Sequence, residues 1–169
     1  MKYHQGCGAP EGATACQRWE LGIQRGFGVT EREVAKLTDS GGFIMRLEGT
    51  DGRSVGIEDD GKVAYAYLLH GERIVGDVWL YNVAETPESV SFRDPEHMPF
   101  LNPRAFCRPD AQIPRLGPES NVRCVWTSSH VDLFLDDDWI ARLREGARPG
   151  WSKLAARSGP LARPLADAS

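Results

Sequence analysis

Between positions 43 and 81 apolar and polar residues alternate in short runs divided by turn-forming clusters. Phe43, Met45 and Leu47 stand opposite Arg46 and Glu48, and Val55 and Ile57 stand opposite Ser54 and Glu58, which is the period-2 signature of half-buried strands. Residues 62–69 are apolar on both faces, as the centre of a sheet covered on two sides requires. Residues 73–81 set Ile74, Val78 and Leu80 against Val75, Asp77, Trp79 and Tyr81. The dividers are Asp39-Ser40-Gly41-Gly42, Thr50-Asp51-Gly52, Asp59-Asp60-Gly61 and His70-Gly71-Glu72. Glycine reaches positive φ cheaply and aspartate bonds its own backbone, so these are tight reversals. Such short connections force antiparallel neighbours, because a parallel crossover needs a dozen or more residues. The pattern predicts a β-meander over 29–81, with 29–38 read as a strand although Thr30 and Glu33 fit a helix capping box.

Residues 84–120 carry seven prolines, which forbid a long helix and a central strand alike. The apolar anchors Phe92, Met98, Phe100, Leu101, Phe106 and Ile113 predict a loop that packs across the sheet, with a binding edge there. Residues 122–127 and 131–135 read as two more strands. Asp136, Asp137 and Asp138 then precede Trp139, Ile140 and Leu143 at helical spacing, with acids at the start and Arg142 and Arg144 toward the end as the helix dipole prefers. A second short helix over 151–157 closes at Gly159-Pro160. The expected class is therefore α+β: a single domain with an irregular segment 1–28, the meander, the proline-rich loop, two strands over 122–135, a C-terminal helical cap over 136–159 and a tail over 160–169.

Composition narrows the function classes. The 169 residues, 41% hydrophobic and 26% charged, suit one globular domain. No window has the 18 nearly uncharged apolar residues of a membrane span, and the first residues lack the apolar core of a secretory signal; the expectation is a cytoplasmic protein with no membrane partner. The formal charge of −4 resolves into +4 over 139–169 and −8 over the preceding 138 residues. An acidic body repels phosphate backbones, and the tail lacks both aromatic interleaving and a dense basic run, so nucleic acid is not an expected partner. No glycine-rich phosphate loop is present, and no cofactor is called for.

Few residues suggest chemistry. Ser128-Ser129-His130-Val131-Asp132 brings a hydroxyl, an imidazole and a carboxylate together, but without a nucleophile turn such as G-x-S-x-G it reads first as a turn between strands, with His130 and Asp132 on the polar face. Asp77 interrupts an apolar strand; burying an unpaired charge is costly, so a cross-strand ion pair with His70, Arg53 or Arg46 is expected, and a general-base role is the sharper alternative. Tyr65 and Tyr67 share one strand face and Trp79 and Tyr81 share a face of the next strand, so one surface of the sheet is expected to carry a Tyr/Trp cluster; these four, with Phe100, are the candidate binding residues, core packing being the plainer account. His4, Cys7 and Cys16 could supply three metal ligands but fall short of the paired spacing of structural zinc, and Asp136-Asp137-Asp138 lacks the alternation of a calcium loop, so no metal is assigned.

Two functions remain. The first is a non-enzymatic acidic protein that binds a basic protein partner, similar in its compact, motif-poor character to small bacterial immunity proteins that neutralise a toxin, with no motif shared. The second is a small hydrolase or transferase using His130 with Asp132 or Asp77.

Overall fold

A computed structural model describes residues 33–35, 42–49, 51–109, 115–117 and 119–167. Readings that fall on 1–32, among them His4, Cys7 and Cys16, lie outside the described residues. Among the described residues ten strands form two sheets. The first is an antiparallel meander in the order β1 (Glu33–Ala35), β2 (Phe43–Glu48), β3 (Arg53–Asp59), β4 (Val63–His70), β5 (Arg73–Asn82). The second runs β10 (Arg163–Pro164), β9 (Trp151–Ser152), β8 (Asp138–Leu143), β7 (Val131–Leu135), β6 (Val122–Trp126), antiparallel except for the parallel β10–β9 pair. Among the described residues no helix is long and apolar enough to cross a membrane.

The meander follows from the alternation. Phe43, Met45, Val55, Ile57, Ala64, Ala66, Leu68 and Val78 join Val122, Val131, Leu133, Ile140, Ala141 and Leu143 of the second sheet in one apolar core. Left-handed backbone at Asp51 and Gly52, at Gly61 and at Gly71 makes the three reversals from β2 to β5, as the turn clusters require; the β1–β2 connection lies outside the described residues. Two irregularities of register in β5 alter the faces. Tyr65 pairs with Trp79 but Ala64 pairs with Tyr81, so Leu80 is the extra residue of a bulge and Trp79 and Tyr81 face opposite sides of the sheet. The shared face expected of them fails because a bulge breaks the period of two.

The helical cap and the α+β class are overturned: the protein is mostly β, and its helical content among the described residues is three short 3-10 turns. Asp136 takes φ 54° and turns β7 directly back into β8. The spacing of Trp139, Ile140 and Leu143 that mimicked a helix fits a strand with a bulge of its own. Leu133 pairs with Ala141 and Phe134 with Trp139, which leaves Ile140 extra and buried beside Ala141. Residues 151–157 form β9 and turns instead of a second helix.

The described part of the proline-rich segment packs on the first sheet; residues 110–114, with the expected anchor Ile113, and 118 lie outside the described residues. The Tyr65 hydroxyl donates to the Phe100 carbonyl (2.6 Å), and the Phe92 and Phe100 rings meet edge to face at 5.3 Å. Asn82 accepts from the Asn102 backbone N–H (2.9 Å) and donates to its carbonyl (2.8 Å), closing a 20-residue excursion. At its far end Arg115 reaches the fully buried Asp59 through Nε (3.0 Å) and Nη2 (3.2 Å). The same carboxylate takes the Tyr81 hydroxyl (3.0 Å) and the Gly61 N–H (2.8 Å), so each oxygen of the buried charge is bonded.

The two sheets meet at the β5 edge. Val75 O accepts from Gly146 N (2.8 Å), Asp77 O from Gly150 N (2.6 Å), and Trp79 N donates to Leu161 O (2.9 Å). So close an approach demands glycine: a Cβ on Gly150 would stand 2.6 Å from Arg142 O and 3.3 Å from Asp77 O, whereas a Cβ on Gly117 meets nothing within 4 Å. Gly150→Ala is expected to lower stability by about 1–3 kcal/mol through overpacking, and Gly117→Ala by well under that; urea unfolding of the two variants checks the difference.

Candidate functional site

The β6–β7 hairpin brings together a hydroxyl, an imidazole and a carboxylate. Thr127 sets its turn: its N–H donates to His130 O (2.9 Å), and its hydroxyl oxygen accepts from the N–H of His130 (3.0 Å) and of Ser129 (3.3 Å). Arg53 docks the turn on the first sheet by donating to Thr127 O (3.0 Å) and lying 5.5 Å from the Trp126 ring centre. Gly49 lets its backbone pass against that ring.

On this turn Ser129 Oγ lies 3.0 Å from His130 Nδ1, and His130 Nε2 lies 3.5 Å from Asp132 Oδ2. The sequence-predicted trio therefore does assemble. Asp132, however, is already engaged. Its Oδ1 takes Arg142 Nε (2.7 Å) and the Trp139 indole N–H (3.1 Å), and its Oδ2 takes Arg142 Nη2 (2.9 Å). This is a bidentate fork, the strong form of the pair, and its hydrogen bonds hold the Arg142 guanidinium above its ordinary pKa. A carboxylate so neutralised has little capacity left to polarise the imidazole. His130 and Asp132 are mostly buried in this arrangement while Ser129 is exposed.

Asp77 lies on the other sheet, opposite Tyr67, and does not meet His130. None of the partners expected for it pairs with it. Arg46 bonds Glu48 (2.7 Å), Arg53 holds Thr127, and His70 stands at the strand end between Arg53 and Arg73. Its nearest cationic influence is Arg148, which also donates to the Ile74 carbonyl. Burial raises the Asp77 pKa and Arg148 opposes that rise, so the charged carboxylate is held at a cost.

The candidate binding residues sit inside. Trp79, Tyr67 and Tyr81 are 1%, 1% and 6% exposed, while Tyr65 and Phe100 are half-buried and bond each other. Tyr65 and Tyr67 do share a face, stacked at 6.2 Å. Trp79 Nε1 donates to Asn82 (2.8 Å), and the Tyr81 hydroxyl is pushed to higher pKa by burial and then by Asp59. All five are engaged in packing within the chain. No group of three metal-binding side chains occurs among the described residues. Burial pushes the thiols of Cys107 and Cys124 up to about 11 and about 12, which keeps them protonated and unreactive at neutral pH.

Sequence reasoning passed over one arrangement. On the outer face of the second sheet, each strand arginine lies on an aromatic ring, and so does Arg144 just past β8: Arg123 on Phe134 (4.4 Å), Arg142 on Trp139 (4.8 Å), and Arg144 and Arg163 on Trp151 (5.3 and 5.1 Å). Arg142 and Arg144, expected above toward the end of a helix, belong to this set instead. The alternation of Arg123 and Val125 in β6 was its available signal.

Comparison with family models, curated protein sequences and solved structures gave no match.

Because Asp77 binds its proton more tightly folded than unfolded, its charge penalises folding above the unfolded value of about 4 and the penalty is complete once pH exceeds the raised folded value. Asp77→Asn is thus expected to raise the melting temperature at pH 7 and to lose that advantage below about pH 4. Thermal melts across pH test this, and an advantage independent of pH would contradict it.

Proposed function

We propose that the chain is a non-enzymatic interaction protein that binds a basic protein partner, in the manner of a toxin-neutralising immunity protein. The observation that carries this reading is the anchored proline-rich excursion, which presents Glu85, Glu88 and Glu96 to solvent from a segment pinned by Asn82, Tyr65 and Arg115. Glu88 is shared with Arg104 (3.0 Å); Glu85 and Glu96 have no cationic partner among the described residues. Carboxylates on a held loop lose little entropy on association, and a net charge of −4 steers a cationic partner to them. Asp136 and Asp137, exposed at the β7–β8 turn, add to the same field.

The expected outcome is a basic protein that co-purifies with the full chain at low ionic strength, dissociates near ~0.5 M salt through screening, and is lost from a Glu85→Lys, Glu96→Lys variant. Retention by that variant, or at high salt, counts against the reading. Trp79→Ala is unsuited to the test, since Trp79 is buried.

A second reading rests on the contacts of Ser129 with His130 and of His130 with Asp132: a hydrolase in which His130 accepts the Ser129 proton. It ranks behind because Arg142 occupies both oxygens of Asp132, and a base oriented by a neutralised acid is weak. Treatment with a fluorophosphonate is expected to leave Ser129 unlabelled. Labelling abolished by Ser129→Ala and by His130→Ala would replace the binding reading with the hydrolase.

A further inference from the structure

We propose that the outer face of the second sheet is a docking surface for an acidic protein segment, whose carboxylates are gripped by the ring-stacked arginines Arg123, Arg144 and Arg163. The strand register builds the surface. One cross-strand row runs Arg123, Phe134, Trp139, and the next runs Val125, Asp132, Arg142, Trp151, Arg163. With Arg144 just past β8, these positions hold four arginines and one carboxylate, on a chain whose formal charge is −4.

Arg142 shows what the other three are equipped to do. Stacked on Trp139, it presents its fork edge to Asp132 and binds both oxygens. A guanidinium lying over a ring has less freedom to lose when a carboxylate meets its donors. Arg123, Arg144 and Arg163 lie over rings at 4.4, 5.3 and 5.1 Å from the ring centres, yet no carboxylate of the described residues bonds them, and Arg123 and Arg144 are exposed. Three ring-borne cations without an acid among the described residues call for external ones.

Geometry and chemistry select the occupant. Strands lie about 4.8 Å apart, so Arg123 on β6 and Arg163 on β10 are separated by roughly 19 Å, the reach of an extended segment of about six residues; at the β9 end that segment would pass over Trp151, which is itself packed with Ala147 and Leu165. Val125, 39% exposed, adds an apolar contact beside Arg123. A single-stranded nucleic acid would need bare rings on which to stack its bases. Here Phe134 and Trp139 each carry a guanidinium and Trp151 carries two, so the surface offers forks for carboxylates and no bare ring for bases. Asp136 and Asp137 border this surface at the β7–β8 turn, but Glu85 and Glu96, whose substitution tests the proposed function, lie on the proline-rich segment, so the two readings fail independently.

The test titrates the full chain with poly-L-glutamate and, in parallel, with oligothymidylate, following tryptophan fluorescence. Saturable binding of polyglutamate that weakens with salt is expected, and Arg123→Ala with Arg144→Ala should reduce it about five- to tenfold, while Arg73→Ala on the first sheet leaves it unchanged. Should the alanine variant fail to fold by circular dichroism, Arg123→Lys with Arg144→Lys decides: it keeps the charge but not the fork, and a loss of about threefold is expected. No binding of polyglutamate, binding unchanged in whichever arginine variant decides, or tighter binding of oligothymidylate would each overturn the proposal.

Discussion

The structure depends on how the open edge of β5 is closed. Four strands precede β5 in a meander that leaves its outer backbone groups with nowhere to bond, and an unpaired edge is both unstable and adhesive. Three backbone hydrogen bonds from Gly146, Gly150 and Leu161 supply the partners. They come from loops of the second sheet, so the bonds that finish the first sheet also fix the position of the second. Gly76 and Gly150, where a Cβ would stand 2.8 Å and 2.6 Å from carbonyl oxygens, make the approach possible. The shared core then fills the space between inner faces already held at one edge.

Much of the first sheet was legible in the sequence because its strands alternate cleanly and its turns are spelled in Asp and Gly. The strands 43–48 and 131–135 appear where the pattern put them. What misled the reading were the bulges. A single extra residue at Leu80 sends Trp79 and Tyr81 to opposite faces, and one at Ile140 lies in a strand whose apolar spacing also fits a helix. Periodicity counts residues evenly, and a bulge is an uneven count set by the partner strand, which lies elsewhere in the chain.

Sites were legible in identity and not in partnership. Ser129, His130 and Asp132 are as close as their sequence positions suggested, but the residue that governs their chemistry is Arg142, ten positions away across a turn. Asp77 was correctly singled out as an expensive carboxylate, and its influence from Arg148 came from a loop of the other sheet. Asp59 was read as a turn residue, which it is through Gly61, while its bonds to Arg115 and Tyr81 needed the path of the proline-rich segment to be known.

The closure of β5 has a bearing on how the chain comes into being. Synthesis delivers residues in order, and the groups that cover the β5 edge lie more than 60 positions after the strand they protect. A ribosome therefore exposes a finished meander with an adhesive border well before its cover emerges. Long-range pairings of this kind form slowly, so the interval between translation of Asn82 and of Leu161 is the period when the nascent chain is most open to strand exchange with its neighbours.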